Sequence, residues 1–198
     1  MLATNNAGKL AELRALLAEL PMELLSPVEA GIVLEVEEDG STYAENARKK
    51  AEAGARLSQL PALGDDSGME VVALDGKPGV HSARFAGAAK KGDSEALIAA
   101  VLAALGDRAA SAPAATYRCV AVMVLPDRRS FEGEGVLAGT IAPEPRGRRG
   151  FGFDPIFQLA DGRRMAELTI EEKNLLSHRA RAVNALEVHG AFDAAMTC

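Results

Sequence analysis

The sequence predicts an α/β fold, a single domain in which a mixed β-sheet is flanked by helices, with room for a cleft between two lobes. Three observations carry that expectation. Segments with apolar residues at helical spacing alternate with strand-like apolar runs along the chain. The 198 residues, 48% of them hydrophobic, suffice for one substantial core or two small lobes. No internal repeat, low-complexity stretch or linker interrupts residues 1–198, so they read as one domain.

The elements follow in order. Met1–Ala3 reads as the end of a short buried strand. From Gly8 to Leu20, Leu10, Leu13, Leu17 and Leu20 share one helical face, and Pro21 follows the helix. Met22–Leu25 reads as a returning strand. Thr42-Tyr43-Ala44-Glu45 has the form of a capping box and opens a helix that runs to about Ser58. Pro61–Gly64 leads into the polar knot Asp65-Asp66-Ser67-Gly68, then a strand over Met69–Leu74 and a turn at Asp75-Gly76. A helix spans Asp93–Leu105, with Gly106 as its stop. Tyr117–Leu125 is the clearest strand; Pro126–Arg129 turns it back into Ser130–Ile141 as a long hairpin. Pro143–Gly150 is a basic loop, Phe151–Leu159 reads as extended, and a last helix covers His178–His189 with Ser177 as N-cap.

Composition excludes several classes of function. Lys and Arg total 22 against 28 Asp and Glu, a net charge of −6. Neutralising a nucleic-acid backbone needs the opposite balance, so no nucleic-acid partner is expected. A small phosphorylated ligand needs only a few local cations and stays open. No apolar run reaches membrane-spanning length and no signal peptide precedes Thr4–Asn6, so the expectation is a soluble cytoplasmic protein with no membrane partner. The two cysteines, Cys119 and Cys198, have no metal-ligand spacing.

Polar chemistry gathers in four places. Thr4-Asn5-Asn6-Ala7-Gly8-Lys9 stands where a strand gives way to a helix, a junction whose N–H groups favour anions. It is not a Walker A motif, since Leu10 follows the lysine. A capped helix start with a solvated lysine is the equal alternative. Asp65 and Asp66, with Glu35, Glu37, Glu38 and Asp39 upstream, are adjacent carboxylates that need a cation or donors if buried. Magnesium held by one or two carboxylates and substrate phosphates fits; an Asx-type turn and a solvated acidic face is the plainer reading. Gly150-Phe151-Gly152-Phe153-Asp154-Pro155 offers aromatic faces to a flat ring and a carboxylate to a ring N–H, or else simply core. Finally Lys173, with Ser177-His178-Arg179, brings donors to a helix start.

Together these motifs resemble the inosine triphosphate pyrophosphatase family. The likeness runs through LATNNAGKLAEL, STYAENARKKA, DDSGMEV, PGVHSARFAG, GFGFDPIF and EEKNLLSHRARA, nearly the whole chain. The resemblance implies an elongated α/β fold with two lobes and a central active-site cleft, a magnesium-dependent homodimer, and hydrolysis of ITP, dITP or XTP to the monophosphate and pyrophosphate. It implies that Thr4, Asn5, Asn6, Ala7, Gly8 and Lys9 hold the triphosphate, with Lys50 as a second phosphate-binding lysine. Asp66 would be general base and Mg2+ ligand, with Glu38 the second metal ligand and Ser67 beside the substrate. Phe151, Gly152, Phe153 and Asp154 would bind the base, completed by Lys173, His178 and Arg179. Phe153 and His81 stand where the family commonly has tyrosine. A nucleotide-binding regulator without catalysis would not need the paired aspartates, and a pyrimidine pyrophosphatase would not need the Lys173, His178 and Arg179 cluster.

Overall fold

The computed structural model describes residues 1–85, 87 and 93–198. Ala86, within the PGVHSARFAG run, lies outside them. Four strands, β1 (Ala62–Val71), β2 (Ala114–Val124), β3 (Ser130–Ile141) and β4 (Phe157–Gln158), form one sheet in the order β1-β2-β3-β4. β3 and β4 pair antiparallel, with Thr140 opposite Gln158. A parallel bridge from Leu2 to Leu63 makes the pairing mixed. The described helices are α1 (Ala7–Leu16), α2 (Tyr43–Ser58), α3 (Ser94–Leu105), α4 (Ile170–Leu176), α5 (His178–Val188) and α6 (Ala191–Met196).

Local sequence accounts for most boundaries. Thr42 caps α2 in a full capping box, its hydroxyl accepting from Glu45 N–H while the Glu45 carboxylate reaches back to Thr42 N–H. Asp93 caps α3 and Ser177 caps α5 in the same sense, and Gly106 ends α3. Several expectations need correction. α1 ends at Leu16, not Leu20: Leu17 caps it, and the chain leaves in a tighter turn, Leu20 N–H donating to Leu17 O at 3.1 Å, ahead of Pro21. Met22–Leu25 is not a strand, although Leu2 N–H donates to Leu25 O at 2.7 Å. The polar knot lies in the middle of β1, and the strand stops at Val71, where a 3-10 turn over Val72–Leu74 takes over. Phe151–Leu159 is mostly turn, with only Phe157–Gln158 in the sheet. The short helices α4 and α6 were not expected. No described helix is long and apolar enough to cross a membrane.

The chain divides into two compact units. The first comprises Met1–Asp66, Cys119–Gly135 and Leu176–Cys198. Its core joins Leu2, Leu13 and Leu17 to Leu63 on β1, Met123 on β2, and Val183, Leu186 and Phe192 on α5 and α6. Two helices come unusually close to strands there because glycine leaves room. A Cβ on Gly64 of β1 would stand 2.5 Å from Ala47 O and 2.7 Å from Ala51 N of α2. A Cβ on Gly135 of β3 would stand 2.1 Å from His178 O and 2.5 Å from Ala182 N of α5. The second unit comprises Ser67–Arg118 and Val136–Leu175. Leu97, Ile98, Val101 and Leu105 of α3 are buried in it, and Tyr117 stacks on Phe157 with ring centroids 4.2 Å apart.

The close approach at Gly64 is testable. Gly64→Ala forces α2 backbone away from β1, an overpacking that costs about 1–3 kcal/mol or more. The melting temperature should fall by about 2–4 °C for each kcal/mol in a chain of this size. An unchanged melting temperature would show that α2 does not rest on β1 at this point.

Candidate functional site

Adjacent residues of a strand point to opposite faces. Asp65 and Asp66, both buried in β1, therefore do not share one environment. Their direct hydrogen-bond partners differ.

Asp65, with no exposed surface, turns toward α1 and α5. Its Oδ2 accepts from Lys9 Nζ at 3.0 Å and from Arg179 Nε and Nη2 at 3.2 and 3.0 Å. The Cys119 thiol lies 3.8 Å from the same oxygen. Arg179 Nη1 donates in turn to Glu12, which is also buried. Burial pushes the Asp65 carboxyl up, but Lys9, Arg179 and Lys50 outweigh it and hold the group well below the usual carboxylate range. Burial likewise works against the charge on Arg179, yet Asp65 and Glu12 leave its pKa raised. The Cys119 thiol is pushed up to about 12, by burial first and by Asp65 next, so it stays neutral.

Asp66 turns the other way, toward α2. Lys50 Nζ donates to its Oδ1 at 3.0 Å and Asn46 Nδ2 to its Oδ2 at 3.1 Å. Lys50 also reaches Glu38 Oε2 at 3.0 Å, so two carboxylates converge on one ammonium. Burial works to lower the Lys50 pKa, and Asp66, Asp65 and Glu38 more than reverse it. Two hard oxygen ligands that converge on one ammonium have the chemistry to hold a divalent cation. No group of three or more His, Cys, Asp or Glu that could hold a metal exists among the described residues.

Thr4 to Lys9 form the α1 start. Asn6 caps the helix, its Oδ1 accepting from Lys9 N–H at 3.1 Å, and Thr4 Oγ1 accepts from Asn6 N–H at 3.2 Å. Asn5 Nδ2 donates to Leu34 O at 2.8 Å. Ala7 and Gly8 occupy the first helical positions. Lys9 is bound to a carboxylate, which overturns the reading of a merely solvated lysine.

In the second unit Asp154 is the centre. Its carboxylate accepts from Tyr117 Oη at 3.1 Å, Phe151 N–H at 3.0 Å and Lys173 Nζ at 2.6 Å. Lys173, buried, stands 5.3 Å from the centroid of the Phe151 ring. Gly152 N–H is held by Ser94 Oγ at 2.8 Å. Phe153 corrects the expectation of two stacking rings: it is core, at 4% exposure, whereas Phe151 is only half-buried. Ser67 is half-buried in β1, next to Asp66. His178 and Arg179 are buried at the start of α5. Arg179 was expected among the base-binding donors; three of its nitrogens instead serve Asp65 and Glu12.

Sequence reasoning missed Asn46, Glu12 and Tyr117. Asn46 and Lys50 are four apart on α2, and Lys9 and Glu12 three apart on α1, so helical spacing could have paired each with its neighbour. Tyr117 had no such signal, because it meets Asp154 from β2, 37 residues away in sequence.

The model of the Ham1 family matches residues 1–189. The chain belongs to that family. It is 45% identical over 190 residues to a protein of Geobacter sulfurreducens named dITP/XTP pyrophosphatase, covering 96% of this chain and 94% of that one. A Streptomyces coelicolor protein of the same name is 46% identical over 189 residues, with 94% of each chain covered. Among solved structures, a HAM1 protein from Coxiella burnetii superposes with a TM-score of 0.82 at 40% identity over 95% of each chain. The Ham1 protein of Staphylococcus aureus gives 0.80 at 38% identity, again over 95% of each.

The buried ion pairs make a stability prediction. Arg179→Met leaves Asp65 with Lys9 as its direct ion-pair partner among the described residues and strips Glu12 of its guanidinium, which should cost about 3–5 kcal/mol at pH 7. In the unmodified protein the depressed Asp65 contributes stability above its ordinary value and loses it only as pH falls through its folded-state value. In the variant the stranded carboxylates take up protons on acidification, so the deficit should shrink between pH 7 and about pH 4. Urea unfolding of both proteins at the two pH values checks this, and an equal deficit at both would point to packing rather than charge.

Proposed function

We propose that this chain hydrolyses dITP, ITP and XTP, releasing pyrophosphate and the nucleoside monophosphate. The observation that carries the reading is Asp66, a buried carboxylate with a separate donor on each oxygen and a lysine shared with Glu38. The names of the Geobacter and Streptomyces relatives support the substrate class.

Cleavage between the first two phosphorus atoms requires a water aimed at the α-phosphorus and positive charge on the departing pyrophosphate. Asp66 orients that water and takes its proton. Glu38 and Asp66 would hold Mg2+, which when bound supplies charge to the phosphate oxygens. Lys9 and Lys50, with the helix start from Thr4 to Gly8, hold the phosphates, and Ser67 lies beside the substrate. On the base side, Phe151 offers a ring face, Gly152 and Asp154 shape the edge, and Phe153 supports them from the core. Lys173 is first among the donors to the C6 carbonyl, with His178 as the further donor that the resemblance implies. No covalent nucleophile is invoked; the neutral Cys119 thiol would be a poor one. The active form in this reading is a homodimer in the cytoplasm.

Asp66→Asn keeps the shape and removes the base. Turnover should fall by at least about 10²-fold while nucleotide binding changes far less. Pyrophosphate release at saturating dITP with magnesium present, alongside direct nucleotide binding, checks this. A folded variant with ordinary turnover would remove Asp66 from the mechanism.

Lysine and arginine can only donate hydrogen bonds, so they match the C6 carbonyl of hypoxanthine and xanthine and oppose the amino group of adenine. A site built on such donors rejects the mismatched base by about 10⁴-fold. Guanine shares the carbonyl and must be refused at its 2-amino group, by an edge that offers that amine no acceptor. Values of kcat/KM across a panel should therefore favour dITP, ITP and XTP over dATP and dGTP, with weak sugar discrimination. Lys173→Ala should narrow that gap; comparable values for dATP and dITP in the unmodified protein would overturn the base-side assignment.

A further inference from the structure

Asn46 touches neither phosphate nor base in the reading above, yet it is as deeply buried as any polar residue of α2, at 1% exposure. Its amide is held from both ends. Oδ1 accepts from Gly40 N–H at 2.8 Å, and Nδ2 donates to Asp66 Oδ2 at 3.1 Å. The first bond decides the second: with the oxygen committed to an N–H, only the NH₂ group can face the carboxylate.

Gly40 makes this possible through its lack of a side chain. A Cβ there would lie 2.6 Å from Asn46 Oδ1 and 2.9 Å from Glu45 Cβ. Gly40 also follows Glu38 by two residues, and Glu38 is tied to Lys50, one helical turn after Asn46. One face of α2 thus grips both the 38–40 segment and Asp66: Asn46 holds Gly40 and Asp66, and Lys50 holds Glu38 and Asp66. The two differ in one respect. A lysine is a mobile ammonium that an incoming phosphate can draw away, whereas an amide locked at both ends stays where it is.

Resting on the reading that Asp66 activates the water, we propose that Asn46 is a positioning residue: it fixes the orientation of the Asp66 carboxylate and its separation from Glu38 while Lys50 turns to the substrate. Asparagine is required because an aspartate of the same shape would set acceptors against the Asp66 oxygens, and a smaller residue would let the carboxylate rotate. Misplacement of a reacting group by about 1 Å costs on the order of 10²-fold in rate.

The test compares Asn46→Ala, Asn46→Asp, Gly40→Ala and Asp66→Asn with the unmodified protein, each checked for folding by thermal unfolding. Pyrophosphate release from dITP is measured as separate kcat and KM. Folded Asn46→Ala should lose about 10²-fold in kcat with KM within a few-fold, because the phosphate-binding groups at Thr4 to Lys9 are untouched. Asn46→Asp, which preserves volume, should be at least as impaired, the reverse of what a packing role predicts. Gly40→Ala, which leaves Asn46 in place and displaces its amide, should show the same split. In the unmodified protein, the Asn46 side-chain amide protons should exchange slowly with solvent by NMR, a readout that needs no variant to fold. Wild-type kcat in folded Asn46→Ala and Asn46→Asp, with Asp66→Asn inactive, would overturn this inference alone. An active Asp66→Asn would overturn the underlying reading and this one with it. Fast exchange of the Asn46 amide would also reject the clamp.

Discussion

A carboxylate with no access to water must be matched by cations inside the protein, and Asp65 imposes that requirement on everything around it. Lys9 comes from the first helix and Arg179 from a helix more than a hundred residues later, and both close on a single Asp65 oxygen. Arg179 then needs a second carboxylate, which Glu12 provides. The chain of charges ties α1, β1 and α5 together more specifically than their apolar contacts do, because each buried group is tolerable only while its partner stays in place. The glycines that let α5 lie against β3 bring Arg179 to that depth.

On the opposite face of β1 the same logic recurs at Asp66. Asp66 is held by an amide and an ammonium from successive turns of α2, and the ammonium is shared with Glu38. The near contact at Gly64 sets how closely α2 approaches, and the capping box at Thr42 and Glu45 sets where the helix begins. A strand that alternates its side chains therefore gives two neighbouring aspartates separate surroundings. In the second unit Asp154 repeats the principle on a smaller scale, holding Lys173 beside Phe151 with Tyr117 as its third support.

The sequence by itself determined the α/β class, the capping box of α2, the stop of α3 at Gly106, the N-cap of α5, and the hairpin strand Ser130–Ile141, because these follow from local chemistry: a side chain that caps a backbone N–H, a period of apolar residues, a turn with its own residues. Its motifs also brought forward Lys9, Asp66, Asp154 and Lys173, and the family resemblance added Lys50. Only the tertiary structure decided that Asp65 and Asp66 lie within a strand and face apart, that Arg179 is committed to carboxylates, and that Phe153 is core while Phe151 meets solvent. Asp and Gly are poor strand formers, so local propensity favours a strand end or a turn for the knot, whereas the structure holds it within β1 with Lys9, Lys50 and Arg179 on its carboxylates. Which face a side chain takes, and which distant cation meets it, is a property of packing between segments far apart in sequence, and no local pattern encodes it.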